Sequence, residues 1–125
     1  KGIWSLDFNP DGSQLVMGLS NGPVLVWGDT RTEETMTRMS SLKLEGHTDF
    51  VPTVDWSPDG RFIATGSRDE TVRIWDAVTG EELYQAKQDL SVQVNSVAWS
   101  PDGSQLAYGR PDGTIAFIPA PEMPK

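Results

Sequence analysis

The chain of 125 residues offers few groups suited to acid–base or metal chemistry, and most of them sit in turn signals. His47 is its single histidine. An imidazole could act as a general base or a metal ligand. Most histidine-based metal sites, however, draw further ligands from other imidazoles or from thiolates, and the sequence has no second histidine and no cysteine. Asp11, Asp59 and Asp102 each lie within Pro-Asp-Gly, where an aspartate commonly accepts hydrogen bonds from its own following backbone. Asp69 and Asp76 stand on either side of Trp75. A working pair of carboxylates needs a cleft and displaced pKa values, and nothing in their surroundings indicates either. No Gly-Lys-Ser/Thr phosphate loop or Gly-x-Gly-x-x-Gly fingerprint is present. The chemistry expected is therefore none: no enzyme, no metal and no cofactor.

What must position these residues is the stretch from Gly46 to Asp76, GHTDFVPTVDWSPDGRFIATGSRDETVRIWD. Three short apolar runs in it are separated by two turn signals. Phe50 to Trp56 is β-branched and aromatic, and Ser57-Pro58-Asp59-Gly60 then places Pro and Gly where a type I turn prefers them. Arg61 to Gly66 is the second run and ends at Ser67-Arg68-Asp69-Glu70. Thr71 to Trp75 is the third, with Val72 and Ile74 on one face and Thr71, Arg73 and Trp75 on the other. Three antiparallel strands are predicted.

The Gly46-His47 opening, the Ser-Pro-Asp-Gly turn and the closing Trp75-Asp76 together resemble one WD repeat of the WD40 β-propeller family. The resemblance implies a structural relay of hydrogen bonds joining His47, Thr65, Asp69 and Trp75. Physical chemistry supports such a set, because a buried carboxylate is costly unless hydrogen-bonded, and an imidazole can donate to it while its other nitrogen meets a hydroxyl.

Composition fits a soluble, acidic globular chain. The net charge is −8, with 10 basic residues against 18 acidic ones, and no basic run offers itself to phosphates, so nucleic acid is not an expected partner. No apolar run approaches the ~20 residues that span a bilayer, so no membrane association is expected. The absence of cysteine is compatible with a reducing intracellular compartment, and a cytoplasmic location is the expectation.

Two further copies of the central unit flank it. Ile3 to Phe8 matches Val51 to Trp56, Asn9 to Gly12 matches Ser57 to Gly60, and Val24 to Trp27 matches Val72 to Trp75. This first repeat keeps Trp27 but has Asn21 in the place of Asp69 and Gly28 in that of Asp76. The interval Pro10 to Pro58 exceeds Pro58 to Pro101, which marks the polar stretch Asp29 to Ser40 as an enlarged loop, with Leu42 to Leu44 as a short fourth strand. In the third repeat, Leu90 stands for His47, Ile118 for Trp75 and Pro119 for Asp76. The predicted architecture is all-β: blade A over 1–45, blade B over 46–87 and blade C over 88–119, followed by a Pro-rich tail over 120–125. Prolines oppose sheet pairing, so blade C is expected to lack its fourth strand.

A partial propeller of this kind cannot close. Rings in the family have roughly four to eight blades, each covered on both broad faces, and three blades leave two faces bare. Such apolar area calls for a partner: the remaining blades of a longer parent chain, or a homo-oligomer that closes the ring. The function implied is a scaffold for protein or peptide partners. Self-assembly of the partial ring is the alternative. A carbohydrate-binding propeller fits less well, since it would repeat an aromatic at equivalent positions, and here Trp4, Pro52 and Asn95 are equivalent. The positions that the family presents at the opening of each blade correspond to Trp4, Phe50, Pro52, Arg68, Gln93 and Asn95, and these are the candidate partner-binding residues.

Overall fold

A computed structural model of the chain describes residues 2–28, 41–87 and 93–118. The expected loop Asp29 to Ser40, Leu90 and the Pro-rich tail lie outside the described residues. Among the described residues there are eleven strands: β1 (Ile3–Phe8), β2 (Leu15–Leu19), β3 (Val24–Trp27), β4 (Ser41–Leu44), β5 (Thr53–Trp56), β6 (Phe62–Gly66), β7 (Thr71–Asp76), β8 (Glu82–Lys87), β9 (Ser96–Trp99), β10 (Leu106–Gly109) and β11 (Ile115–Ile118). They form two four-stranded sheets, ordered β1-β2-β3-β4 and β5-β6-β7-β8, and a three-stranded sheet, β9-β10-β11. Every pairing is antiparallel. No helix among the described residues is long and apolar enough to cross a membrane.

The Pro-Asp-Gly signals make the tight connections. Gly12, Gly60 and Gly103 have φ of 78°, 76° and 74°, a region that costs other residues energy but not glycine. Their N–H groups donate to the carbonyls of Asn9, Ser57 and Ser100, each at 2.9 Å.

Because β-strand side chains alternate between faces, each sheet presents two surfaces. One core lies between the first and second sheets, where Val16, Val24 and Val26 meet Val54, Trp56, Ile63 and Trp75. A second lies between the second and third, where Ala64, Val72 and Ile74 meet Val97, Leu106, Tyr108 and Ile118.

Strand β1 has the bounds of its predicted run, whereas β5 is shorter than the apolar run from which it comes. The run from Phe50 enters the ladder only at Thr53, and the equivalent strand of the third sheet begins at Ser96, after the described Gln93 to Asn95. The reason is competition for backbone groups: the Val51 N–H donates to the Leu19 carbonyl of the preceding sheet at 3.1 Å, and the Val94 N–H to the Ser67 carbonyl at 3.1 Å.

Candidate functional site

His47 lies on the loop ahead of β5, Thr65 on β6, Asp69 in the β6–β7 turn and Trp75 on β7, and one hydrogen-bond network joins all four. His47 Nδ1 is 2.8 Å from Asp69 Oδ2, and Nε2 is 2.6 Å from Thr65 Oγ1. The Trp75 indole donates to the same Thr65 oxygen at 2.9 Å. A carboxylate only accepts, so in the neutral imidazole the proton sits on Nδ1, Thr65 donates to Nε2, and Trp75 donates to Thr65. Two residues extend the network: Thr71 Oγ1 donates to Asp69 Oδ1 at 2.5 Å, and Arg73 Nε donates to Thr71 Oγ1 at 3.1 Å. Arg73 also pairs with Glu82 at 2.6 Å. The alternation Thr71-Val72-Arg73-Ile74-Trp75 was the signal for these additions, since it sets Thr71 and Arg73 on the face of Trp75.

Burial acts to raise the Asp69 carboxyl, but hydrogen bonds from His47, Thr71 and the Thr48 amide together outweigh it and hold the group well below the ordinary carboxylate range. Such a carboxylate is a committed acceptor rather than a proton shuttle. In the first sheet, Met17 occupies the register position of Thr65, and in the third sheet Tyr108 does.

A second polar device was not foreseen. Asp7 on β1 accepts from the Trp56 backbone N–H at 2.9 Å, and the Trp56 indole donates to the Asp7 carbonyl at 3.1 Å. Asp55 and Trp99 repeat both bonds at 2.9 and 3.1 Å. The recurrence of Asp at one position and Trp at the next in matching repeats could have revealed it. Burial pushes the Asp55 carboxyl up to about 6; the Trp99 amide opposes this, and the neighbouring Asp7 carboxyl reinforces it.

The aspartates of the Pro-Asp-Gly turns hold their own backbone. Asp11, Asp59 and Asp102 accept from the N–H of Ser13, Arg61 and Ser104 at 2.9, 3.0 and 3.0 Å. Asp76 accepts from Val78 and Thr79 at 2.8 and 2.9 Å. The string Gly18-Leu19-Ser20-Asn21-Gly22 has the Gly-x-Ser-x-Gly spacing of a nucleophile elbow, but it joins β2 to β3 rather than leading into a helix. Ser20 Oγ accepts from the Gly2 N–H at 3.2 Å, and the only histidine is held by Asp69 and Thr65. Among the described residues, no group of three or more His, Cys, Asp or Glu side chains is placed to hold a metal ion.

Of the six rim residues, three converge. Trp4, 59% exposed, sits with its ring centroid 4.7 Å from that of Phe50, tilted by 57°. The Arg68 guanidinium lies over the other participant, 4.3 Å from the Phe50 centroid. Backbone bonds fix this platform: the Arg68 N–H donates to the Phe50 carbonyl at 2.9 Å, and Ser67 Oγ donates to the same oxygen at 2.8 Å. Pro52 is half-buried nearby in sequence, while Gln93 and Asn95 are exposed on the loop ahead of β9. No described contact joins those two side chains to the stack.

Antiparallel sheets laid face to face, with neighbouring inner strands β1, β5 and β9, define a partial β-propeller. The family model "WD domain, G-beta repeat" matches residues 1–27, 38–76 and 84–117, and the chain belongs to the WD-repeat family. Three relatives are the Set1 complex component swd1 of Schizosaccharomyces pombe (37% identical, covering 65% of this chain and 19% of that protein), Protein groucho of Drosophila melanogaster (35%; 75% and 12%) and the small ribosomal subunit protein RACK1 of Dictyostelium discoideum (34%; 62% and 24%). The chain thus spans a quarter or less of their lengths. The β-propeller domain of Cps50 (Swd1) from Myceliophteria thermophila shares its fold, with a TM-score of 0.79 and 22% identity over 94% of this chain and 35% of that one.

Proposed function

We propose that the chain is a non-catalytic WD-repeat scaffold that binds a protein or peptide at the rim built by Trp4, Phe50 and Arg68, within a larger propeller. The observation that carries this is the convergence of the three: Phe50 meets the tilted Trp4 ring at 4.7 Å and the Arg68 guanidinium at 4.3 Å, a large contact surface that carries a guanidinium fork. Trp and Arg dominate binding energy at interfaces because each combines contact area with a directional polar group. The fork suits a carboxylate, so the partner presents an acidic or aromatic segment, and Pro52, Gln93 and Asn95 complete its track. The names of relatives support the reading: swd1 is described as a complex component, and a further relative, from Culex quinquefasciatus, as a probable cytosolic iron-sulfur protein assembly protein. An intracellular, cytoplasmic location goes with it.

Combined alanine substitution of Trp4, Phe50 and Arg68, with binding measured by calorimetry against the partner recovered, tests the site. A loss of about 2 kcal/mol or more is expected, with an unchanged circular dichroism spectrum. Unaltered affinity would move the site elsewhere on the propeller.

Leu6 and Phe8 on one outer face, and Ile115 and Phe117 on the other, are large exposed apolar residues that call for cover; further blades supply it in the first reading, and copies of this chain that complete the ring supply it in a second.

A further inference from the structure

Each junction between described sheets is made the same way, and the two outer faces repeat its two halves. At the first junction, Val51 lies against Gly18, where an added Cβ would stand 2.5 Å from the Val51 carbonyl oxygen. At the second, Val94 lies against Gly66, where an added Cβ would stand 2.5 Å from Val94 Cγ1. Real Cβ atoms do not approach so closely, so both seats require glycine.

Gly109 holds the same register in the third sheet. It pairs with Ser96 as Gly66 pairs with Thr53 and Gly18 with Ser5. Here, however, an added Cβ would meet nothing nearer than Ser96 Cβ at 3.9 Å. The space that a valine fills at the other two seats is open at this one. Two shallow hollows of about 230 and about 180 Å³ share Ala98 and Ala107 on the same face, the first reaching Phe117 and the second Gly109 and Ile115.

Ile3 is the counterpart of Val51 and Val94. Ile3-Trp4-Ser5-Leu6 parallels Val51-Pro52-Thr53-Val54 and Val94-Asn95-Ser96-Val97, yet Ile3 is 54% exposed where both valines are fully buried. The Asp–Trp clasp is altered at both outer faces in a matching way. Ala98 stands where Asp7 and Asp55 accept, and Phe8, 59% exposed, stands where Trp56 and Trp99 donate an indole. If the two faces meet, the missing carboxylate and the missing indole fall at a single junction, which is apolar on both sides.

We infer that the outer face of the third sheet docks the first-sheet face of a second copy of this chain, with Ile3 seated on Gly109 and Phe8 over Ala98. This rests on the reading in which copies complete the ring. The contact is head-to-tail, so it closes only if rotation brings the last face back to the first. Two copies bring six sheets, inside the roughly four to eight of closed propellers.

Sedimentation of the chain at micromolar concentration tests both levels. The expected mass is that of two chains. Gly109→Leu adds a side chain that the isolated fold accommodates but the seat does not, and Ile3→Asp places a charge in the seat. Each should weaken self-association by about tenfold or more with far-ultraviolet dichroism unchanged. Mixing the two variants should restore a two-chain species, because one junction in the pair remains intact. A single-chain mass for the parent overturns both the docking and the ring of copies, and leaves the outer faces to further blades of a larger propeller. A two-chain mass that Gly109→Leu leaves unchanged overturns the seat alone.

Discussion

Asp7 and Trp56, 49 positions apart, are tied twice, once through the carboxylate and once through the carbonyl of the aspartate. Only the amide depends on the Asp7 side chain, since the indole donates to the Asp7 backbone carbonyl. Asp7→Ala should therefore leave a part-buried amide without its acceptor and cost about 1 kcal/mol. Asp7→Asn keeps an acceptor and should cost less. Thermal melting of both variants checks this; equal midpoints for Asp7→Ala and the parent would show that the clasp contributes nothing.

His47→Ala should remove the Nδ1 donor from Asp69 and the acceptor from Thr65, at a cost of about 1–3 kcal/mol. The acid limb of stability should change with it. Asp69 has a depressed pKa in the fold, so its contribution is present above the unfolded value near 3.9 and is lost as pH falls below that. Chemical denaturation from pH 5 down to pH 2 should show a shallower decline for the variant than for the parent. Parallel declines would remove the His47–Asp69 contact from the stability of the fold.

Asp55 has the opposite sign. Its carboxyl titrates near 6 in the fold against an unfolded value near 3.9, so the folded state holds the extra proton and its contribution is lost as pH rises through 6. Asp55→Asn keeps an oxygen for the Trp99 amide and removes the charge beside Asp7. It should stabilise the chain at pH 7.5 by about 1 kcal/mol, the shift being discounted for partial solvation, with the advantage shrinking toward pH 4.5. A pH-independent difference between variant and parent would be the contrary result.

Arg68→Glu should reverse the sign of the rim without disturbing the Phe50 platform, because the backbone bond from Arg68 to the Phe50 carbonyl does not use the side chain. Affinity for acidic peptides, read by fluorescence from Trp4, should drop about tenfold or more, and affinity for basic ones should rise. An acidic ligand indifferent to the reversal would separate Arg68 from recognition.

Most of the strands were legible because the apolar runs are bounded by residues with a single conformational purpose, Pro before Asp-Gly and Gly where φ is positive; the β6–β7 turn instead carries Glu70 at a φ of 77°. The four residues of the buried network were legible through the resemblance, since Gly46-His47 and Trp75-Asp76 frame them. Less legible was the start of β5, which begins later than its apolar run because Val51 spends its N–H group on the neighbouring sheet, as Val94 does ahead of β9. A single repeat read alone cannot show that. The clasp was missed for a related reason: Asp7 and Asp55 look like the polar half of an alternating strand, and only the adjoining sheet supplies the Trp that makes them acceptors. The Gly109 seat has the same character, since its meaning lies in what a Cβ would touch at Gly18 and Gly66 and would not touch at Gly109.

The clasps also have a direction along the chain. Each acceptor, Asp7 or Asp55, belongs to the earlier sheet, and each donor, Trp56 or Trp99, to the next one in the chain. The order of the repeats is thereby written into their edges: each of these two sheets carries the acceptors, and the tryptophan that fills them comes from the repeat that follows it in the chain. A repeat cut out and reinserted elsewhere in the array would keep its strands and lose its matched edge.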